Sequence, residues 1–152
     1  MQKNELYMQK ALLQARYALA EDEVPVGAVI VYKDRIIAKS YNQVEKLKDP
    51  TAHAEMLAIT QASSYLGSKW LHECTLYVTL EPCIMCAGAL ILSRIEKIVF
   101  GASDPKAGAF GSLTDVNKLK LNHKIGVKES ILEKDCSFVL KKFFKAKRKI
   151  KT

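Results

Sequence analysis

Long apolar runs are missing from these 152 residues. The longest, such as Val26–Tyr32 and Ala87–Leu92, fall far short of the roughly 20 residues that cross a bilayer, so no transmembrane helix is expected. The opening Met1-Gln2-Lys3-Asn4-Glu5 lacks the apolar stretch of a secretory signal, and a cytoplasmic protein is the expectation. Cysteine is scarce: the four are Cys74, Cys83, Cys86 and Cys136. In that compartment they should stay reduced, and a domain of this length buries enough surface to fold without disulfides. Cys74 and Cys136 show no metal-ligand spacing and read as small apolar fillers. Only seven Gly and four Pro occur, with no Gly/Ser-rich or Pro-rich linker and no internal repeat, so a single domain over residues 1–152 is expected. An apolar share of 49% and a charged share of 26% exclude a disordered chain.

Acidic residues are sparse in the last quarter. Lys118–Thr152 holds 12 basic and 3 acidic residues, a net of +9, whereas the first 117 residues hold 12 and 13, a net of −1. Such asymmetry suggests an anionic partner, nucleic acid first and an acidic membrane surface second, although a basic helix can also be a plain solvated face.

What is present reads as alternating helices and strands. Glu5–Ala20 carries Leu12, Ala15 and Leu19 at helical spacing. Val26–Tyr32 and Ile36–Tyr41 flank Lys33-Asp34-Arg35 as a hairpin. Asp49-Pro50-Thr51 announces a helix over His53–Tyr65, with Thr51 as its N-cap and Gly67 near its end. Thr75–Leu80 is a strand, and Glu81-Pro82 turns it into a helix over Cys83–Leu92, with Pro suited to the first helical position. Lys97–Gly101 is a strand, Ser103–Ser112 a loop, Val127–Ile131 a short strand, and Glu133–Lys149 a basic C-terminal helix. A hairpin is antiparallel and strand–helix–strand crossovers are parallel, so a mixed sheet in an α/β sandwich is expected.

His53, Cys83 and Cys86 are the metal-ligand candidates. Zinc accepts thiolate and imidazole together. A structural site usually takes four protein ligands, while a catalytic site takes three and leaves a place for water. No obvious fourth ligand accompanies these three, which favours the open kind. Residues three apart share a helix face, so Cys83 and Cys86 can grip one ion, and the start of a helix favours thiolates. Glu55 lies two residues beyond His53, a spacing that does not share a face of a regular helix, so its geometry stays open here. A redox dithiol or a structural zinc are the other readings of Cys-x-x-Cys, and both leave Glu55 unexplained.

His53-Ala54-Glu55 followed by Pro82-Cys83-Ile84-Met85-Cys86 is the signature of the cytidine and nucleotide deaminase superfamily. Over about residues 4–149 the chain resembles, more narrowly, the bacterial tRNA-specific adenosine deaminases. The residues that carry this resemblance include Glu23–Val29, Asn42, Asp49–Glu55, Thr75–Cys83, Gly101–Ala109 and Phe143-Phe144-Lys145. It implies a three-layer α/β/α sandwich with an approximately five-stranded mixed sheet, a homodimer, and one Zn2+ per subunit on His53, Cys83 and Cys86. It also implies Glu55 as the proton carrier in hydrolytic conversion of a wobble adenosine in a tRNA anticodon loop to inosine, with release of ammonia. Val26, Asn42 and Ala54 would meet the purine. Asp104, Lys106, His123, Phe144 and Arg148 would meet flanking nucleotides or backbone, while Phe143 would be core. A zinc deaminase of free bases or nucleosides shares the zinc motif but gives no reason for the basic end. A non-catalytic zinc module that binds RNA gives no use for Glu55.

Overall fold

The structure, a computed structural model, describes residues 2–150. Its elements are α1 (Lys3–Ala20), β1 (Gly27–Tyr32), β2 (Arg35–Tyr41), a short α2 (Val44–Leu47), α3 (Ala54–Leu66), β3 (Cys74–Leu80), α4 (Ile84–Leu92), β4 (Lys97–Ala102), β5 (Gly126–Lys128) and α5 (Glu133–Ile150). The strands form one sheet in the order β2-β1-β3-β4-β5. β1 runs antiparallel to both β2 and β3, while β3, β4 and β5 are parallel.

Side chains alternate across each strand and feed two cores. Ala28 and Ile30 of β1, Leu76 and Val78 of β3, and Ile98 and Phe100 of β4 pack with α3 and α4. Val29, Val31, Tyr77 and Val99 point the other way, onto Met8, Ala11 and Leu12 of α1 and Cys136 and Val139 of α5. Covered on both faces, β1 is buried nearly throughout, which is why it reads as an unbroken apolar run rather than an alternating one. This is the expected three-layer mixed α/β fold. Cys74 and Cys136 are fully buried among apolar neighbours, as fillers should be.

Several local readings need correction. Thr51 is not the N-cap of α3; His53 is, with extended backbone at φ −73° and ψ 152°. Asp49 takes the Thr51 N–H and hydroxyl at 2.8 and 2.7 Å, folding a separate turn ahead of the helix. Pro82 is not the first helical residue either, because Cys83 caps α4 and Ile84 begins it. The four-residue α2 was not expected. Buried Glu23 holds it by accepting the Glu45 and Lys46 amides at 2.9 and 2.7 Å, a contact made across 22 and 23 residues.

The strand directions decide where chemistry can gather. The start of β1 and the ends of β2, β3 and β4 lie at one edge of the sheet, through the pairs Gly27 with Tyr41 and Leu80 with Ala102. Helices α3 and α4 both begin at that edge. Ser40 ties one of them there by donating its hydroxyl to the Ala54 carbonyl at 2.6 Å.

Candidate active site

His53 and Cys83 are both helix N-caps, and Cys86 is the third residue of α4. The two helix starts therefore face each other with their unpaired amides and positive dipole ends turned inward. His53 Nδ1 lies 3.7 Å from Cys83 Sγ and 3.6 Å from Cys86 Sγ. All three donor atoms fall within 4.8 Å of one another. A tetrahedral zinc with Zn–S of ~2.3 Å and Zn–N of ~2.0–2.1 Å needs an N···S edge of ~3.6 Å. The donors thus already stand at the spacing of three corners of such a site, and no fourth side chain joins the group among the described residues.

The two sulfurs are not equivalent without a metal. The Cys86 thiol and the His53 ring beside Cys83 draw that thiol down to about 3. The ionised Cys83 in turn, together with burial, pushes Cys86 upward. Hydrogen bonding to Cys83 raises His53, against the effect of burial. Glu55 is only 4% exposed, and burial lifts its carboxyl to about 7. Because His53 sits before the helix rather than on it, the spacing argument that separates positions 53 and 55 on a regular helix does not apply. Both side chains line the same cavity.

That cavity has a volume of about 520 Å3. Val26, Asn42, Ala54 and Asp104 share its wall with His53, Glu55 and Cys83. The Asn42 backbone N–H is spent on the Val26 carbonyl at 3.0 Å. Phe143 reaches the wall too but is 93% buried, whereas Phe144 is 46% exposed and stands edge-on to it at 5.2 Å. A second groove opens beside the cavity and shares Val24, Leu80, Asp104 and Lys147 with it. Lys106, Phe144 and Arg148 line this groove together with Lys141. The structure therefore gathers eleven of the twelve sequence-predicted residues around two adjoining hollows, with Cys86 buried just behind the wall.

His123 is the exception. Its Nε2 lies 2.6 Å from the Ile95 carbonyl, just ahead of β4. The hollows are at the other end of that strand, so the chain does not bring His123 to them. A histidine in a basic segment carries no register from which this could be read.

A model of the MafB19-like deaminase family matches residues 2–148. The tRNA-specific adenosine deaminase of Bacillus subtilis is 47% identical over 152 residues, covering 99% of this chain and 94% of that protein. The chain belongs to the tRNA-specific adenosine deaminase family. The Aquifex aeolicus enzyme of that name is 50% identical over 145 residues, 95% of each chain. A solved structure from work on A-to-I editing by tRNA:A34 deaminases at the wobble position superposes with a TM-score of 0.84 at 41% identity, covering 89% of this chain and 99% of that one. A guanine deaminase from Nitrosomonas europaea superposes at 0.78 with 26% identity, covering 94% and 85%.

One residue of the deaminase escaped the sequence reading. Glu81, 2% exposed, accepts the Asp104 amide at 3.1 Å, the Phe110 amide at 3.0 Å and the Ser112 amide at 3.2 Å, and also the Ser112 hydroxyl. A lone acid ending an apolar strand, with a Gly-rich loop to follow, was its signal. Which amides it would find, 23 to 31 residues away, is a tertiary matter.

Proposed function

We propose that this deaminase converts the wobble adenosine of a tRNA anticodon to inosine by hydrolysis, releasing ammonia, with His53, Cys83 and Cys86 holding a zinc ion and Glu55 moving the protons. The observation that carries this reading is the donor triangle beside a buried, proton-holding carboxyl in a cavity that opens onto a basic groove. Zinc, when bound there, supplies a Lewis acid that makes water a nucleophile at neutral pH.

The protein's own groups do the rest. Glu55 in its ionised form takes a proton from the attacking water and passes it to N1 of the ring. Glu55 then takes the second water-derived proton, from the hydroxyl added to the ring, and gives it to the departing amine, so adenosine and water become inosine and ammonia. Burial raises this carboxyl in the metal-free protein, which suits a group that must hold a proton between the two transfers. Asn42 lines the cavity, where its side-chain amide can address the purine edge, and Val26 and the Ala54 backbone bound it. Four of the rim acids are already engaged: Glu21 by Tyr41 and Lys46, Asp22 by Lys147, Glu23 and Glu81 by backbone amides. Their charge is thereby partly offset, which suits a neutral base.

Lys106, Lys141, Lys147 and Arg148 in the groove favour an anionic strand next to the flipped base, and exposed Phe144 offers a face for stacking worth ~1–3 kcal/mol. This feature favours RNA over a free base. A homodimer accounts for the exposed apolar side chains on and near α4, Ile84 at 59%, Leu92 at 77% and Leu113 at 65% exposure. No helix among the described residues is long and apolar enough to cross a membrane.

The test is inosine mapping and ammonia release with an anticodon stem-loop, free adenosine, guanine and cytidine as substrates. We expect turnover of the stem-loop; turnover of a free base alone would overturn the proposal. Glu55→Ala should keep its fold and its zinc and lose about 10²–10⁴ in kcat.

A further inference from the structure

The chemistry proposed above makes no use of Glu81, yet no other buried carboxylate in the described structure collects as many donors. Its Oε2 takes two amides, Phe110 and Ser112, and its Oε1 takes the Asp104 amide and the Ser112 hydroxyl. All four come from the 103–112 loop. The fit is tight enough to dictate a second residue: a Cβ on Gly108 would lie 2.3–2.5 Å from the three carboxylate atoms, so only glycine lets the loop close over Glu81.

The loop so moored touches both hollows. Asp104 stands at their junction, in the wall of the cavity and of the groove alike. Its own Oδ1 accepts the Lys106 and Ala107 amides at 3.1 and 3.2 Å, which carries the anchoring on to Lys106 in the groove. At its far end the loop is laced to the strand-to-helix turn by the Ala109 amide, which donates to the Pro82 carbonyl at 2.9 Å.

We propose that Glu81 is a positioning residue for the deamination: it moors the 103–112 loop so that Asp104 and Lys106 stand ready where the cavity meets the groove. The inference rests on the tRNA reading above. Both oxygens of the Glu81 carboxylate are spent on the loop, so it acts on substrate through Asp104 and Lys106, and its loss should appear in KM.

Glu81→Gln keeps the volume but turns one acceptor oxygen into a donor NH2, which must then face an N–H or hydroxyl already aimed at it. In the zinc-loaded protein we expect KM for an anticodon stem-loop to rise at least about tenfold and kcat to stay within about threefold. Zinc content and the absorption of a cobalt-substituted sample should match wild type. Hydrogen exchange at the Asp104, Phe110 and Ser112 amides should speed up. Ser112→Ala, which removes one bond at the exposed rim, should raise KM by about two- to fivefold and serves if Glu81→Gln does not fold. Gly108→Ala should impair wild type but add nothing to Glu81→Ala, where the clashing carboxylate is gone. An unchanged KM in Glu81→Gln, or a lost kcat with an altered cobalt spectrum, overturns the inference. A wild-type protein inert on the stem-loop instead sinks the tRNA reading, and the exchange measurement then reports on the mooring by itself.

Discussion

Glu55 keeps its proton up to about pH 7 because burial makes its charged form costly, whereas an exposed carboxyl loses it near 4.5. This has a consequence for the metal-free protein. Below pH 4.5 the acid is neutral in both folded and unfolded chains, and its contribution to stability is fully present. As pH rises through 7 the unfolded chain ionises more readily, and up to ~3 kcal/mol is lost. Glu55→Gln cannot ionise. After chelation it should therefore be more stable than wild type at pH 8 by up to that amount and gain little at pH 4, as denaturant melts would record. Equal stability of the two proteins at pH 8 would contradict the burial argument. At this scale the metal-ligand candidates were legible, since few residue types bind zinc and they came in a recognisable spacing. Glu81 and the placement of His123 were not, because a hydrogen-bond hub is defined by partners distant in the chain.

Elements bring these groups together, and their packing has little slack. Gly101 in β4 lies under α5: a Cβ there would sit 2.3 Å from Cys136 Sγ, 2.8 Å from its Cβ and 3.1 Å from the Ile131 carbonyl. Gly101→Ala should push α5 away from the sheet and destabilise the fold by about 1–3 kcal/mol. Since α5 also carries Phe143 and Lys147 to the cavity, KM for the stem-loop should rise with it. Thermal melts and steady-state rates on one preparation would check both; a normal melting temperature would mean that the helix has more room than the contact distances allow. Helix and strand types were legible from periodicity. Caps were less so: Thr51 looked like an N-cap, but Asp49 captured it in a local turn, and His53 took the place instead.

Charge acts over the whole molecule. Four cations line the groove, Lys106, Lys141, Lys147 and Arg148. If each meets one phosphate of a single-stranded loop, the logarithmic salt slope is about −3, and affinity should fall roughly fiftyfold between 50 and 200 mM salt. Titrating a labelled stem-loop at several salt concentrations measures this directly, and a flat response would remove the groove from RNA binding. The ion pair of Lys147 with Asp22, at 2.7 Å, is exposed and easily exchanged, so it does not bar that cation from a phosphate.

The amino-acid order alone settled the mixed α/β class, the basic C-terminal end and the three metal-ligand candidates, because each is written in local spacing or composition. Tertiary structure decided what spacing cannot hold. It aimed two helix starts at one point, set His53 outside its helix so that Glu55 could share the cavity, and brought a buried carboxylate to the amides of a distant loop. Those outcomes depend on strand direction and on close packing between segments far apart in the chain, and no window of sequence contains either.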